Sequence, residues 1–119
     1  MIFNLESVKI LHNPRCRKSR ETLELIKNAG IEPEIILYLE NVPTKKELKN
    51  ILSMLNISPE SLIRKGEAIY KEEYKGKTLS DAQWVDAMIK YPKLIERPIV
   101  IKGKKAIVGR PPENVNVFL

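Results

Sequence analysis

The apolar and polar residues in the first third of the chain follow the pattern of a strand, a helix and a second strand. Residues 7–11 are compatible with a strand, and an amphipathic helix is predicted to begin near Ser19 and to stop at Gly30. After Pro33, residues 34–39 predict a second, buried strand. Together these elements predict a parallel βαβ unit, whose crossover is almost always right-handed. The buried face of the helix is expected to consist of Leu23, Leu25, Ile26 and Ala29.

The middle of the chain has the periodicity of helices. Thr44 and Glu47 form a capping box before one apolar stripe, and Ser80 and Gln83 form a second capping box before another. Residues 66–79 are charged and rich in turn formers, and they predict a surface loop with at most a short helix. The two stripes are expected to bury Leu48, Ile51, Leu52 and Leu55, and Ala82, Val85, Met88 and Ile89.

The last quarter of the chain returns to strands. Residues 98–101 and 105–108 flank a turn at Lys102-Gly103-Lys104, which predicts an antiparallel hairpin. A short terminal helix is expected from Glu113. The complete order is βαβ, then helices, then ββα, and the length of 119 residues favours one α/β domain.

The composition is that of a globular protein with a real core, since 43% of the residues are hydrophobic and 30% are charged. We expect no membrane span, because no apolar run approaches about 18 residues. The N-terminal residues lack the basic and apolar regions of a secretory signal. A single cysteine cannot form an internal disulfide. These features together predict a cytoplasmic location.

The net charge of +6 indicates anionic partners. A solvated, lysine-rich surface explains much of this charge equally well. We expect no nucleic-acid binding, because no known motif is present and aromatic residues make up only 6% of the chain. A small oxyanion or an anionic thiol cosubstrate fits better.

The segment from Leu11 to Arg20 contains the only cysteine and the only histidine of the chain. Cys16 stands at the start of the predicted helix, where the helix dipole and free N–H groups stabilise a thiolate. This environment favours a reactive Cys16, because the thiolate is the nucleophilic form. The alternative is an unreactive thiol that packs as a small hydrophobic residue. The basic residues nearby in the sequence are Arg15, Arg17, Lys18 and Arg20.

The segment His12-Asn13-Pro14-x-Cys16-x-x-Ser19-Arg20 resembles the active-site signature of ArsC-type, glutaredoxin-coupled arsenate reductases. This resemblance implies a thioredoxin/glutaredoxin-like fold, in which a mixed four-stranded sheet carries a helical insertion at about residues 42–93 of a single domain, 1–119. Because the chain ends at Leu119, we expect a short-chain member of the family. The resemblance continues in order through Tyr38-Leu39-Glu40, Leu62-Ile63-Arg64-Lys65, Glu96-Arg97-Pro98-Ile99-Val100 and Gly109-Arg110-Pro111.

The resemblance also implies the main residues of the site. Cys16 corresponds to the nucleophile, and Arg64, Arg97 and Arg110 correspond to the arginines that bind the oxyanion. A guanidinium keeps its charge and donates paired hydrogen bonds, which suits a tetrahedral oxyanion. Taken singly, each arginine is better explained by a surface ion pair or a helix-end charge, but three arginines at matched positions together favour oxyanion binding.

The remaining residues of the signature have supporting roles by resemblance. His12 is implied to tune Cys16, and Ser19 either donates a hydrogen bond to the thiolate or is a helix-surface hydroxyl. Arg97-Pro98 corresponds to the cis-proline step of the fold, whereas trans is the default from sequence alone. No metal site is expected, since one histidine and one cysteine are too few ligands. The residues implied to shape loops are Asn13, Pro14 and Pro98.

The implied reaction is attack by the Cys16 thiolate on arsenate, which gives a thiol–arsenate adduct. Because the chain has no second cysteine, the adduct must be resolved from outside. Glutathione, a cosubstrate rather than a bound cofactor, adds to the adduct, and glutaredoxin reduces the mixed disulfide as arsenite is released.

Three other classes of protein bear on this interpretation. A phosphatase-like Cys-x5-Arg loop is excluded, because the sixth residue after Cys16 is Thr22. A regulator of the Spx type, which binds RNA polymerase, usually carries Cys-x-x-Cys, whereas this chain has Ser19 at the second position. A glutathione-dependent thiol oxidoreductase that removes glutathione from proteins stays open, with the arginines binding glutathione carboxylates.

Overall fold

The computed structural model describes residues 7–119 of the chain. These residues divide into two compact units: one holds the described residues up to Leu37 together with Arg97–Leu119, and the other is Tyr38–Glu96. No helix among the described residues combines the length and the apolar character needed to cross a membrane. That the two units form one domain, with an insertion at about residues 42–93, remains a prediction.

The first unit contains a mixed four-stranded sheet. Its strands are β1 (Val8–Leu11), β2 (Glu34–Ile36), β3 (Ile99–Lys102) and β4 (Lys105–Val108). They lie in the order β2-β1-β3-β4, with β1 and β2 parallel and the other two pairs antiparallel. The predicted α/β fold with a mixed four-stranded sheet is confirmed, as is the hairpin of β3 and β4. The hairpin turns at Gly103, whose φ of +61° favours a residue without Cβ.

Helix α1 (Arg17–Asn28) follows β1 and begins two residues earlier than the sequence predicts. Its buried residues are Ser19, Thr22 and Ile26, whereas Ala29, which the sequence placed on the buried face, is exposed. The buried positions are spaced by three and four residues, but two of them are small and polar, so hydrophobicity alone does not reveal them. The core beneath this helix comprises Val8, Ile10, Ile26, Val100, Val115 and Phe118.

Strand β2 is the element that the sequence predicts least well. It spans three residues rather than the six of 34–39, and it is not buried, since Ile35 is 40% exposed. The strand lies at the edge of the sheet, with a partner on one side only. An apolar run does not distinguish a central strand from an edge strand, because the neighbours of the strand come from elsewhere in the chain.

The second unit is helical. It contains α2 (Lys45–Leu55), α3 (Ala68–Glu73) and α4 (Asp81–Lys90), with 3₁₀ helices at Pro59–Leu62 and Pro92–Leu94. Both predicted capping boxes are confirmed: each cap hydroxyl accepts a hydrogen bond from the N3 backbone, and each N3 side chain accepts one from the cap N–H. The short helix α3 lies within the charged segment 66–79, as predicted, and buries none of its residues.

The buried face of α4 differs in part from the prediction. Val85 and Met88 are buried as expected, but Ala82 is exposed and Trp84 and Ala87 are buried instead. Two aromatic side chains cover Trp84, with ring centroids 6.4 Å away for Tyr70 and 5.9 Å away for Tyr74. The buried face of α4 therefore points toward the aromatic cluster of Trp84, Tyr70 and Tyr74. The apolar stripe predicted from the sequence includes none of these residues. On α2, Leu48, Ile51 and Leu52 are buried and Leu55 is partly exposed.

The chain ends in a 3₁₀ helix, Pro112–Phe118, where the sequence predicts a short helix from Glu113. Val115 and Phe118 point into the core of the first unit, and Val117 between them is 74% exposed. Since a 3₁₀ helix has three residues per turn, Val115 and Phe118 lie on one face of this element, and that face contributes to the core.

Two substitutions within this 3₁₀ helix test the placement of the core. Val115→Ala lowers the free energy of unfolding by about 2 kcal/mol, because it removes buried methyl groups and leaves a cavity. Val117→Ala, the same change at an exposed position, alters it by less than about 0.5 kcal/mol. Urea unfolding measures both, and equal effects at the two positions would contradict this placement of the terminal segment.

Candidate active site

Cys16 lies at the N-cap of α1, directly after the loop that leaves β1, and its side chain is partly buried. The loop is held by a hydrogen bond from the Cys16 N–H to the Asn13 carbonyl, 2.9 Å, and the helix starts with Arg20 N–H donating to the Cys16 carbonyl, 3.0 Å. The thiol does not close a regular capping hydrogen bond. The N–H of Ser19, at the N3 position, nevertheless faces the sulfur closely enough to favour the thiolate.

The sheet brings two arginines to the same place. Ile99 pairs with Leu11 on one side and with Val108 on the other, so β1 ends where β3 begins and β4 ends. Arg97 lies two residues before Ile99, and Arg110 lies two residues after Val108. Residues that are distant in the sequence therefore converge at this edge of the sheet.

Arg97 and Arg110 both contact the Cys16 sulfur. Arg110 Nη1 lies 3.7 Å from Sγ and also donates to the Arg97 carbonyl, 3.1 Å. The Arg97 side chain hydrogen-bonds the sulfur as well. A guanidinium has five N–H donors, so one arginine can contact more than one acceptor. A thiolate with two guanidinium groups beside it is a site suited to an anionic, electrophilic substrate.

The pKa of the Cys16 thiol lies below the usual value, although burial acts in the opposite direction. Burial, the largest single influence, raises the pKa because it penalises the charged thiolate. The hydrogen bonds from the Ser19 N–H and from the two arginines, with the charge of Arg97, together outweigh it and lower the pKa. The fraction of Cys16 in the nucleophilic thiolate form is therefore larger at neutral pH than for an ordinary cysteine.

His12 and Ser19 form a buried pair behind the thiol. His12 Nδ1 lies 2.6 Å from Ser19 Oγ, and the same oxygen accepts a hydrogen bond from the Asn13 N–H, 3.1 Å. The Ser19 side chain is fully buried, so it is not a helix-surface hydroxyl. Its hydroxyl ties the loop to the helix, and it is the backbone N–H of Ser19 that acts on the Cys16 sulfur.

His12 is held in its neutral form. Burial lowers the pKa of the imidazole, and the positive charges of Arg20 and Lys27 lower it further. A neutral imidazole carries one proton and can either donate to or accept from Ser19. His12 therefore adds no positive charge to the site at neutral pH.

The loop-shaping residues occupy distinct positions. Asn13 Oδ1 accepts from the Arg15 N–H, 3.0 Å, whereas Pro14 is exposed. The Arg97-Pro98 peptide is cis. The resemblance implied this conformation, whereas trans is the default from sequence alone. The Arg110-Pro111 peptide is also cis, which no feature of the sequence indicates.

Two of the basic residues around Cys16 in the sequence are engaged elsewhere. Arg17 pairs with Glu21, 3.0 Å, on the exposed side of the helix. Arg20 Nη1 donates to the Pro14 carbonyl, 2.9 Å. Proximity in sequence therefore does not make these side chains ligands of the sulfur.

Arg64 belongs to the second unit, where two carboxylates hold it. Arg64 Nη1 lies 2.8 Å from Glu96 Oε1, and Nε lies 3.5 Å from Glu67 Oε1. Its backbone N–H donates to the Leu94 carbonyl, 2.7 Å. These two carboxylates were not predicted. That Arg64 binds the oxyanion remains a prediction.

Within residues 7–119, no group of three or more His, Cys, Asp or Glu side chains is placed to hold a metal ion.

Comparison with known proteins identifies relatives that match most of the chain. The sequence model of the ArsC family matches residues 11–118. A protein named arsenate reductase from Haemophilus influenzae (strain ATCC 51907 / DSM 11121 / KW20 / Rd) is 46% identical over 111 residues, which are 92% of this chain and 96% of that protein. The uncharacterized protein YfgD of Escherichia coli (strain K12) is 48% identical over 112 residues, 92% of this chain and 94% of its own.

The fold has a solved counterpart. The structure described as arsenate reductase from Vibrio cholerae superposes with a TM-score of 0.92 at 47% sequence identity, and the match covers 98% of this chain and 100% of that one. The thioredoxin-like α/β architecture that the resemblance implied is thereby confirmed.

The acidity of Cys16 can be measured by its rate of alkylation with iodoacetamide against pH. The rate follows the thiolate fraction, so its midpoint is expected below the usual value of about 8.5. Arg97→Met and Arg110→Met each raise this midpoint, because each removes a hydrogen bond and a positive charge beside the sulfur. Because the pKa of Cys16 is lower in the folded state than in the unfolded state, the thiolate stabilises the fold. This stabilisation is complete above the unfolded-state pKa and is lost as the pH falls through the folded-state pKa.

Arg17→Met is the matched control for these substitutions, because Arg17 is adjacent to Cys16 in sequence but pairs with Glu21 on the exposed helix surface. Its midpoint is expected to stay near that of the unmodified protein. A midpoint at or above about 8.5 in the unmodified protein would contradict an activated thiol.

Proposed function

The chain belongs to the ArsC family, and from this premise we propose that it is an arsenate reductase, with the Cys16 thiolate as nucleophile. The observation that carries the proposal is the contact of Cys16 Sγ with two guanidinium groups at the start of a helix. Relatives named arsenate reductase support the choice of substrate.

The two arginines have complementary effects on the proposed reaction. In the free protein, Arg97 and Arg110 stabilise the thiolate and so generate the nucleophile. When arsenate is bound, the two guanidinium groups donate hydrogen bonds to its oxygens and bring the arsenic next to the sulfur. The negative charge that develops on these oxygens during attack is stabilised by the same donors. By resemblance to the family, Arg64 is proposed as a third donor.

In the first step, the sulfur of Cys16 forms a bond to arsenic and one As–O bond breaks. The departing oxygen leaves as water after taking up protons from solvent, and arsenic remains As(V). His12 is proposed to orient the loop that presents the thiolate rather than to supply a proton, because its imidazole is neutral and bonded to Ser19.

The second step requires a thiol from outside, because the chain contains one cysteine. Glutathione adds to the adduct, and glutaredoxin reduces the resulting mixed disulfide. Two electrons pass from thiol sulfur to arsenic, so As(V) becomes arsenite while two sulfur atoms become a disulfide. The exposed basic side chains Arg15 and Lys18 lie beside Cys16 in sequence, and we propose that they attract the carboxylates of glutathione.

Arsenite formation in the presence of arsenate, glutathione and glutaredoxin tests the proposed activity. The purified protein is expected to turn over only when both thiol components are present. Cys16→Ser abolishes turnover, and Arg97→Lys or Arg110→Lys reduces kcat/KM by roughly 10²–10³-fold, because a lysine cannot provide paired donors. Arg17→Lys is the control and leaves turnover unchanged.

No arsenite from the folded protein under these conditions would overturn the assignment of arsenate. Turnover on glutathionylated proteins would then indicate a deglutathionylase, and co-purification with RNA polymerase would indicate a regulator. The alkylation midpoint of Cys16 distinguishes a wrong substrate from an inactive thiol, since it is measured without substrate.

The carboxylates that hold Arg64 lead to a separate prediction. Glu96 lies 2.8 Å from Arg64 Nη1 and competes with an oxyanion for the positive charge of Arg64, so Glu96→Gln is expected to lower KM for arsenate. The effect is about fivefold at most, because a partly exposed ion pair contributes up to about 1 kcal/mol. Glu60→Gln, which disrupts the exposed Lys65–Glu60 pair, is the control and leaves KM unchanged. A higher KM in Glu96→Gln would show instead that Glu96 orients Arg64 for binding.

A further inference from the structure

Gly109 lies between the last residue of β4 and Arg110, and it is buried. Its N–H donates to the Pro98 carbonyl, 2.8 Å, which ties the end of β4 to the residue before β3. The backbone of Gly109 therefore helps to fix the position of the next residue, Arg110, whose side chain extends toward the Cys16 sulfur.

A side chain at Gly109 has no room. A Cβ atom there would lie 2.7 Å from Thr22 Oγ1, 2.8 Å from Pro98 Cγ and 3.0 Å from Thr22 Cγ2. All three distances are shorter than van der Waals contact. The φ of Gly109 lies outside the left-handed region, so the requirement for glycine is steric and comes from the atoms packed around it.

Thr22 is the neighbour on α1, and its side chain is fully buried. Its Oγ1 lies 2.8 Å from the Lys18 carbonyl and 3.4 Å from the Gly109 carbonyl. A hydroxyl has one proton to donate, and the shorter contact is to Lys18. The contact between Thr22 and Gly109 is therefore mainly one of packing. Rotating the Thr22 side chain does not make room, since both of its outer atoms meet the added Cβ.

We propose that Gly109 and Thr22 are positioning residues of the active site, because their direct packing sets the distance between Arg110 and Cys16. Helix α1 carries Cys16 at its N-cap and Thr22 in its second turn, so the helix is a rigid link between the sulfur and the contact with Gly109. Arg110 is the residue directly after Gly109, so its backbone position follows that of Gly109. The proposal rests on the proposed function only in treating Arg110 as part of the Cys16 site.

The geometry makes this distance sensitive to small movements. Arg110 Nη1 reaches Sγ at 3.7 Å, near the long limit for a hydrogen bond to sulfur, while also bonding the Arg97 carbonyl. An added Cβ at Gly109 must push the strand end away from α1, and Arg110 moves with it. The expected result is a weaker contact with the thiolate.

Gly109→Ala, with Cys16 alkylation measured against pH, tests the proposal on the full chain. The midpoint is expected to rise by about one pH unit, the lower end of the effect of an opposite charge close to an ionisable group. Gly66→Ala is the matched control, because a Cβ at Gly66 meets nothing within 4 Å and its φ is not left-handed. Its midpoint is expected to stay unchanged. The double variant Gly109→Ala/Thr22→Ala removes two of the three close contacts and is expected to recover part of the shift.

A purely structural role for Gly109 gives a different result. Gly109→Ala would then lower Tm without moving the alkylation midpoint, and that outcome overturns the proposal. If the double variant Gly109→Ala/Thr22→Ala shows the same rise in the alkylation midpoint as Gly109→Ala, the role assigned to Thr22 is overturned.

If Gly109→Ala does not fold, two substitutions at Thr22 test the same contact. Thr22→Val keeps the shape and loses only the hydroxyl, so the midpoint is expected to stay. Thr22→Ala leaves a gap beside Gly109 and frees the strand end, so the midpoint is expected to rise. Equal midpoints in both variants overturn the proposal. Because no substrate is used, these results are independent of whether the protein reduces arsenate.

Discussion

The pairing of β3 with both β1 and β4 is the constraint on which the candidate site depends. It aligns the end of β1, the start of β3 and the end of β4 at one edge of the sheet, so that Cys16, Arg97 and Arg110 meet there. Backbone hydrogen bonds fix this register, and a shift of one residue would turn each side chain to the opposite face. The hydrophobic residues of the strands, such as Ile10 and Val100, hold the register because one alignment buries them.

The reactivity of Cys16 results from a balance between burial and compensating charge. Burial alone would suppress the thiolate, and the same burial strengthens the hydrogen bonds that the arginines and the Ser19 N–H provide. A fully exposed thiol would be screened from these groups by water, and a buried thiol without them would stay protonated. The partly buried N-cap position meets both requirements, while the neutral His12–Ser19 pair keeps the loop in shape without adding charge.

Arg64 differs from the other two arginines in its surroundings. Arg97 and Arg110 lie beside the sulfur, whereas Glu67 and Glu96 neutralise Arg64 within the second unit. An arginine with two carboxylate partners binds a further anion only in competition with them. The three arginines, equivalent by resemblance, are thus distinct by environment.

The sequence by itself determined the features that depend on neighbours a few residues away. The two capping boxes, the βαβ order, the hairpin at Gly103 and the cysteine at a helix start all follow from local spacing. Only the tertiary structure decided that β2 is an exposed edge strand, that Thr22 packs against Gly109, and that Arg110 touches a sulfur 94 residues earlier in the chain. The reason is that burial and pKa depend on which distant segments are brought into contact. The periodicity of one segment does not specify which other segments pack against it.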